Sequence, residues 1–313
     1  MRSRYVMRPG DLLLATLVAA IWGFNFIAVH VGLDDLPPLL FCGLRLLAAA
    51  LPLAFLRRGP GVAWRWVLLS AACLGVLHFS LFFWGMAEGM PAGLTSLVLQ
   101  SQAIFTLLLA VPLLRERPGV RRIAGTALAL AGMVLVGATL HAGTPAFAFA
   151  LVVASAAFWG LNNIVLRRAA PLDPLRYTMW LAALAALPML GLSLVIEGPS
   201  ADLAALRGFD LTALAALAYT SGISTIVGFG LWGRLIHRYG AGTVAPFSML
   251  VPFFGMTAAV LVLHEALRLP DVLGGVLVIG GILFGATRAR SRTISPPGIV
   301  RRVEEQATVS SGA

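Results

Sequence analysis

The sequence predicts an all-α integral membrane protein: ten transmembrane helices arranged as two inverted-topology five-helix repeats, with both termini cytoplasmic. Three observations predict it: an apolar composition, ten hydrophobic runs of membrane-crossing length, and a gapless match between stretches of the two halves. Of the 313 residues, 59% are hydrophobic and 12% charged, and the mean hydropathy is +0.91. So few charges cannot cover a water-facing surface on a chain of this length.

A hydrocarbon core of ~30 Å takes about 20 apolar residues at ~1.5 Å each. The first run, 11–32, follows Arg2, Arg4 and Arg8 as a signal peptide would. Its apolar stretch is longer than a cleaved signal core and a second run follows directly, so it reads as a retained span. Run two, 37–56, opens at "LPPL" (36–39) and stops at "RRGPG" (57–61). Runs three to five cover 66–87, 91–114 and 121–140, and close a first repeat over residues 1–140. Runs six and seven cover 146–166 and 174–196, the latter ended by "EGPS" (197–200). Runs eight to ten, 211–233, 240–263 and 271–287, complete a second repeat over 141–288, and the Arg-, Ser- and Pro-rich 289–313 reads as a disordered cytoplasmic tail.

All 23 basic residues are arginine, and the net charge is +10. They recur in short clusters between apolar runs rather than on one domain, which fits membrane orientation and not nucleic acid. Twenty of the 23 fall at the amino terminus, in the even-numbered connections and in the tail. The odd-numbered connections hold Arg207 and Arg268 against Asp34, Asp35, Glu88, Glu197, Asp202, Asp210, Glu265 and Asp271. By the positive-inside rule, the arginine-rich side is cytoplasmic.

The halves repeat each other. "PAGLTSLVLQSQAIFTLLLAVPLLRE" (91–116) aligns without gaps on "GAGTVAPFSMLVPFFGMTAAVLVLHE" (240–265), at an offset of 149, pairing Phe105 with Phe254 and Glu116 with Glu265. "WGFN" (22–25) recurs as "WGLN" (159–162). A unit of five spans must enter the membrane in the opposite sense the second time, the architecture of secondary transporters with midplane sites. Both Trp-Gly-x-Asn motifs then reach the bilayer centre, from opposite sides, to line a shared central cavity.

Polar side chains at that depth are costly and face a partner or water. The candidates for binding and translocation are Trp22, Asn25, Arg45, His78, Trp84, Glu88, Gln102, Trp159, Asn162, Ser221 and Thr225. Helical spacing groups Ser155, Trp159 and Asn162; Thr95, Gln102 and Thr106; and Ser80, Trp84 and Glu88. Amides, hydroxyls and indoles suit a zwitterion, although such groups also serve merely to join helices. Arg45 lies about eight residues into its run, roughly 12 Å deep. Three readings stay open for it: snorkelling outward, pairing with Glu88, or pairing with a substrate carboxylate. His30, His78 and Glu88 are the candidates for carrying a coupling proton. Gly281 and Gly285 form a GxxxG pair that packs either a dimer or, the reading preferred here, a neighbouring helix of a monomer.

No catalytic or metal-ligating residues are expected, and no cofactor. The sequence contains no Walker GxxxxGK[ST], HExxH or GxSxG, and Cys42 and Cys73 read as small apolar residues within spans.

"WGFNFIAVHVGL" (22–33), "LPPLLFCGLRLL" (36–47), "MPAGLTSLVLQSQAIFT" (90–106), "STIVGFGLWGRLIHRY" (224–239) and "VAPFSMLVPFFGM" (244–256) resemble the EamA family of the drug/metabolite transporter superfamily. The resemblance spans all ten runs and leaves out the tail. It implies a multi-pass exporter of the bacterial inner membrane, working by alternating access around a central cavity lined by helices 1, 3, 4, 6, 8 and 9. Its cargo would be small amino-acid metabolites such as O-acetylserine or cysteine, and its other partners membrane lipid and a coupling proton. Aromatic amino acids or drugs are the alternative cargo within the superfamily. A passive channel and a lipid-modifying membrane enzyme are the competing classes; mid-depth Trp and Phe oppose a continuous polar path, and no catalytic cluster supports an enzyme.

Overall fold

The computed structural model describes residues 7–55, 59–140 and 143–286. Among the described residues the chain is helical throughout, with no strand. Nine helices among the described residues are long and apolar enough to cross a membrane: α1 (Pro9–Asp35), α2 (Pro38–Phe55), α3 (Trp64–Ala87), α4 (Ala92–Leu114), α5 (Val120–Ala138), α6 (Ala146–Ala169), α7 (Pro174–Ile196), α8 (Leu211–Tyr239) and α9 (Ala245–Leu263). A shorter apolar helix, α10 (Leu269–Ala286), follows. The expected tail, 289–313, lies outside the described residues.

Helix ends follow local chemistry. Pro9, Pro38 and Pro174 occupy first turns, where a missing N–H breaks no bond. Asp173 and Asp210 cap α7 and α8 by accepting from the backbone N–H of Arg176 at 3.1 Å and of Ala213 at 2.8 Å. Two boundaries differ from the sequence reading. Helix α8 continues to Tyr239 because nothing before Gly240, at φ +81°, stops it. The expected ninth run then starts with a separate turn, Ala241–Val244, before α9 proper. The connection after α7 also folds into a short helix, Pro199–Arg207.

Large apolar side chains cover much of the outer surface, and a minority of polar side chains lies within a mainly apolar interior. Leu13, Leu187, Val195, Leu261 and Val276 are exposed, while Asn25, Arg45, His78, Ser155 and Asn162 are buried. So extensive an apolar surface suits a lipid surround.

Helices pair as α1 with α9, α4 with α6, α2 with α7 and α5 with α10; α3 leans on α6, and α8 on α1. Irregular backbone recurs in matching places. Helices α3 and α8 contain π-helical stretches, Ala71–His78 and Tyr219–Val227. Helices α4 and α9 contain 3₁₀ turns, Leu99–Ser101 and Ala245–Leu250. Arg115 and His264, 149 residues apart, end α4 and α9 in the same left-handed conformation, at φ +54° and +55°.

Lipid offers no hydrophobic drive for helices to associate, so small residues that bring backbones together carry the packing. A Cβ at Gly281 would lie 2.5 Å from the Gly125 carbonyl oxygen and 2.6 Å from the Ala129 nitrogen, so α5 and α10 meet only through bare backbone there. The Gly281/Gly285 pair therefore faces α5 of its own chain. Gly281→Leu should lower the melting temperature of the detergent-solubilised protein by several degrees, an overpacking effect of about 1–3 kcal/mol. Gly280→Leu, next to it and facing open space, should leave melting unchanged.

Candidate functional site

The glycine of each Trp-Gly-x-Asn motif is a helix crossing point. A Cβ on Gly23 would meet the Phe254 Cβ at 2.6 Å and the Gly255 nitrogen at 2.8 Å; one on Gly160 would meet the Phe105 Cβ at 2.8 Å and the Thr106 nitrogen at 2.9 Å. Phe105 and Phe254 are the residues that the internal alignment pairs, so α1 seats on α9 as α6 seats on α4. The Asn two residues later is carried into the interior in both cases: Asn25 is 8% and Asn162 4% exposed.

Around these crossings the interior is aromatic. Trp22 donates its indole N–H to the Ser224 carbonyl at 3.0 Å and packs on Phe229 and Trp232. Trp159 contacts the ring of His78 at 5.1 Å between centroids, and His78 also packs on Phe79 and Phe82. His78 Nδ1 lies 2.8 Å from Ser155 Oγ, which joins α3 to α6. Arg45 is 6% exposed, sits 4.6 Å above the Phe79 ring, and reaches Thr225 Oγ1 from Nη2 at 3.4 Å. Thr225 in turn donates to the Thr220 carbonyl at 2.8 Å, and Ser221 to Leu217 at 2.6 Å, so both hydroxyls are bonded to their own helix. Trp22, Asn25, Arg45, His78, Trp159, Asn162, Ser221 and Thr225 thus lie on the inner faces of α1, α2, α3, α6 and α8.

Three sequence candidates lie elsewhere or are otherwise occupied. Trp84 donates to Glu88 Oε1 at 2.9 Å at the exposed end of α3, and Trp84 lines a small cleft of about 220 Å³ with Pro37, Leu39 and Glu197. The Arg45–Glu88 pairing is absent, because that carboxylate is held by Trp84 and the Arg45 guanidinium is turned inward onto Phe79. The Arg45 side chain is buried rather than at the surface. Gln102 accepts from Asn163 Nδ2 at 2.6 Å, and Asn163 also donates to Thr106 at 3.0 Å, so this trio ties α4 to α6. Asn163 was not singled out in the sequence. Its ~100° offset from Asn162 around the helix was the available signal. A larger apolar cleft of about 690 Å³, between α4, α5 and α6, is lined by Ser101, Phe105, Leu108, Met133 and Phe149; neither cleft reaches Arg45 or the two motif asparagines.

Carboxylates at helix ends form a second layer that the sequence reading passed over. Glu265, after α9, accepts from the backbone N–H groups of Ala92 and Gly93 at 2.7 and 3.0 Å, capping α4. Glu197 caps α2 in the same way through Leu39 and Leu40. Glu116, the counterpart of Glu265, instead pairs with Arg122 at 3.1 Å and Arg167 at 2.9 Å. Near the start of α1, Asp11 accepts from the Tyr239 hydroxyl at 2.5 Å and pairs with Arg238 at 3.3 Å. Among the described residues no cluster of three or more His, Cys, Asp or Glu could hold a metal ion.

The profile of the EamA-like transporter family matches residues 10–138 and again residues 146–286. The chain belongs to this family. A "Probable amino-acid metabolite efflux pump" of Salmonella typhimurium is 37% identical over 298 residues, covering 92% of this chain and 100% of that protein. Its namesake in Escherichia coli is 35% identical over 91% of this chain and 98% of its own length. A "Probable terminal-alkyne amino-acid exporter" of Streptantibioticus cattleyicolor is 29% identical over 90% of this chain and 96% of its own. One crystal structure superposes with a TM-score of 0.59 over 90% of this chain and 100% of its own, at 19% identity, a likeness of fold alone. The protein is therefore a multi-pass membrane transporter, and a small-molecule substrate follows from its relatives.

The two neighbouring asparagines of α6 should behave differently. Asn163→Ala removes two hydrogen bonds and leaves the Gln102 side-chain oxygen with only the long 3.4 Å contact from Thr106, so stability should fall by about 1 kcal/mol. Asn162→Ala breaks no hydrogen bond seen here and should leave melting of the purified protein unchanged.

Proposed function

We propose that the chain is a secondary active exporter of small amino-acid metabolites, of the class of O-acetylserine and cysteine, in the bacterial inner membrane. The observation that carries this reading is end-to-end likeness to two proteins named as amino-acid metabolite efflux pumps, at 37% and 35% identity. Two halves, 1–140 and 141–288, form an inverted repeat of ten spans, α1–α5 and α6–α10, with both termini in the cytoplasm. The doubled family match, the paired π-helical and 3₁₀ stretches, the shared left-handed ends and the equivalent glycine crossings all support it. The arginine distribution supports the orientation.

Alternating access draws support from a place where the halves are unalike. Glu265 grips the first amides of α4, a charge-assisted contact reinforced by the helix dipole. Its counterpart Glu116 is engaged by arginines instead. A carrier with two such clamps holds one side shut while the other is free. Glu265→Ala should open the α4–α9 end: a cysteine at Thr95, in a chain with Cys42 and Cys73 replaced by Ala, should react faster with a membrane-impermeant maleimide from outside. An unchanged rate removes the clamp.

Uptake of labelled O-acetylserine and L-cysteine into inside-out vesicles, with and without a proton gradient, tests the exporter itself. Saturable uptake that unlabelled small polar amino acids compete away is expected. Unsaturable flux at channel rates would favour a facilitator. A correctly inserted protein that carries neither compound would move the cargo to aromatic amino acids or drugs.

A further inference from the structure

Arg45 is a charge that no described residue of the chain neutralises. Its Nε and Nη1 have no hydrogen-bond partner, and the single bond from Nη2 to Thr225 is long at 3.4 Å. The carboxylates that could have answered it are engaged elsewhere: Glu88 by Trp84, Glu197 by the start of α2, Glu265 by the start of α4, and Asp202 by Ser193. Phe79 and Phe83 cover a face of the guanidinium at 4.6 and 5.7 Å, which holds it in place but satisfies no N–H. A guanidinium stays charged, and a buried one without a counter-ion is strongly unfavourable. Its planar set of donors matches a carboxylate better than any other common group.

Two further orphans lie in the same interior. The side chains of Asn25 and Asn162 make no hydrogen bond among the described residues, and each Oδ1 is fully buried. Asn25 follows Trp22 by less than one turn, and Trp22 bonds Ser224, the residue before the Thr225 that Arg45 reaches. Asn162 follows Trp159, whose ring meets His78, itself next to the Phe79 beneath Arg45. The neighbours that link them, His78 on α3 and Ser224 and Thr225 on α8, lie on π-helical stretches, a backbone irregularity that recurs at functional sites. Unspent donors on one residue and unspent amides on two others are what a zwitterion would complete.

We propose that Arg45 receives the carboxylate of an amino-acid cargo, and that the amides of Asn25 and Asn162 receive its ammonium group. The cargo class is thereby narrowed to amino acids with a free α-carboxylate. This rests on the exporter reading above.

The test compares labelled L-cysteine with cysteamine, which lacks only the carboxylate, in inside-out vesicles containing the full chain. Wild-type protein should prefer L-cysteine by about tenfold or more, the worth of a hydrogen bond to a charged group. Arg45→Gln should lose that preference, carrying the two compounds at similar low rates, and Arg45→Lys should recover part of it. Equal wild-type transport of L-cysteine and cysteamine overturns the Arg45 assignment while leaving the exporter standing, and needs no variant to fold. An Arg45→Gln protein that still prefers L-cysteine also overturns it. A wild-type protein that transports no L-cysteine removes the amino-acid-metabolite cargo reading, and this one with it.

Discussion

Everything in this molecule answers to one constraint: in hydrocarbon, a polar group must find its partner inside the protein or go without. Helices meet the demand for the backbone. Ends and side chains meet it with local devices, such as Asp173 and Asp210 at their own helix starts, Glu197 and Glu265 at the starts of other helices, and the Gln102–Asn163–Thr106 knot. Against so thorough a settlement the few exceptions stand out. Arg45, Asn25, Asn162 and, on α4, Ser101 lie in the interior with donors or acceptors unused, and the cargo proposal is a reading of the first three.

The same constraint explains why glycine rather than leucine governs the packing. With no water to expel between helices, close approach is the main gain, and it needs bare backbone. Gly23 and Gly160 set the crossings α1–α9 and α6–α4, while Gly125 and Gly281 set α5–α10. Crossings of this kind form equivalent pairs about the proposed inverted repeat. In the proposed carrier, a half that seats on the other through glycine would rock there without dismantling a side-chain interlock, leaving the end-carboxylate contacts to decide which side is shut.

Much of this was legible in the sequence. Hydropathy gave the spans to within a few residues, since a run of apolar residues has few other uses. The doubled motif pointed to interior positions, and Asn25, Arg45, His78 and Asn162 are each buried. What hydropathy could not supply was direction around the helix axis. Trp84 and Glu88 share a helix with His78 yet end at an exposed rim, and Gln102 turned toward Asn163 instead of standing free. The glutamates were misjudged for another reason. A carboxylate at a helix end looks like a loop charge until the helix start that it caps is known, and Ala92 is 173 residues from Glu265 in sequence.

The central claim is that the unsatisfied interior groups are a binding site and not a packing defect. A structure of the protein in lipid nanodiscs at saturating L-cysteine tests it most directly. The account predicts ligand density against the Arg45 guanidinium, with the Asn25 and Asn162 amides turned toward it. Density in the apolar cleft between α4, α5 and α6, with Arg45 still resting on Phe79 and Thr225 alone, would contradict it.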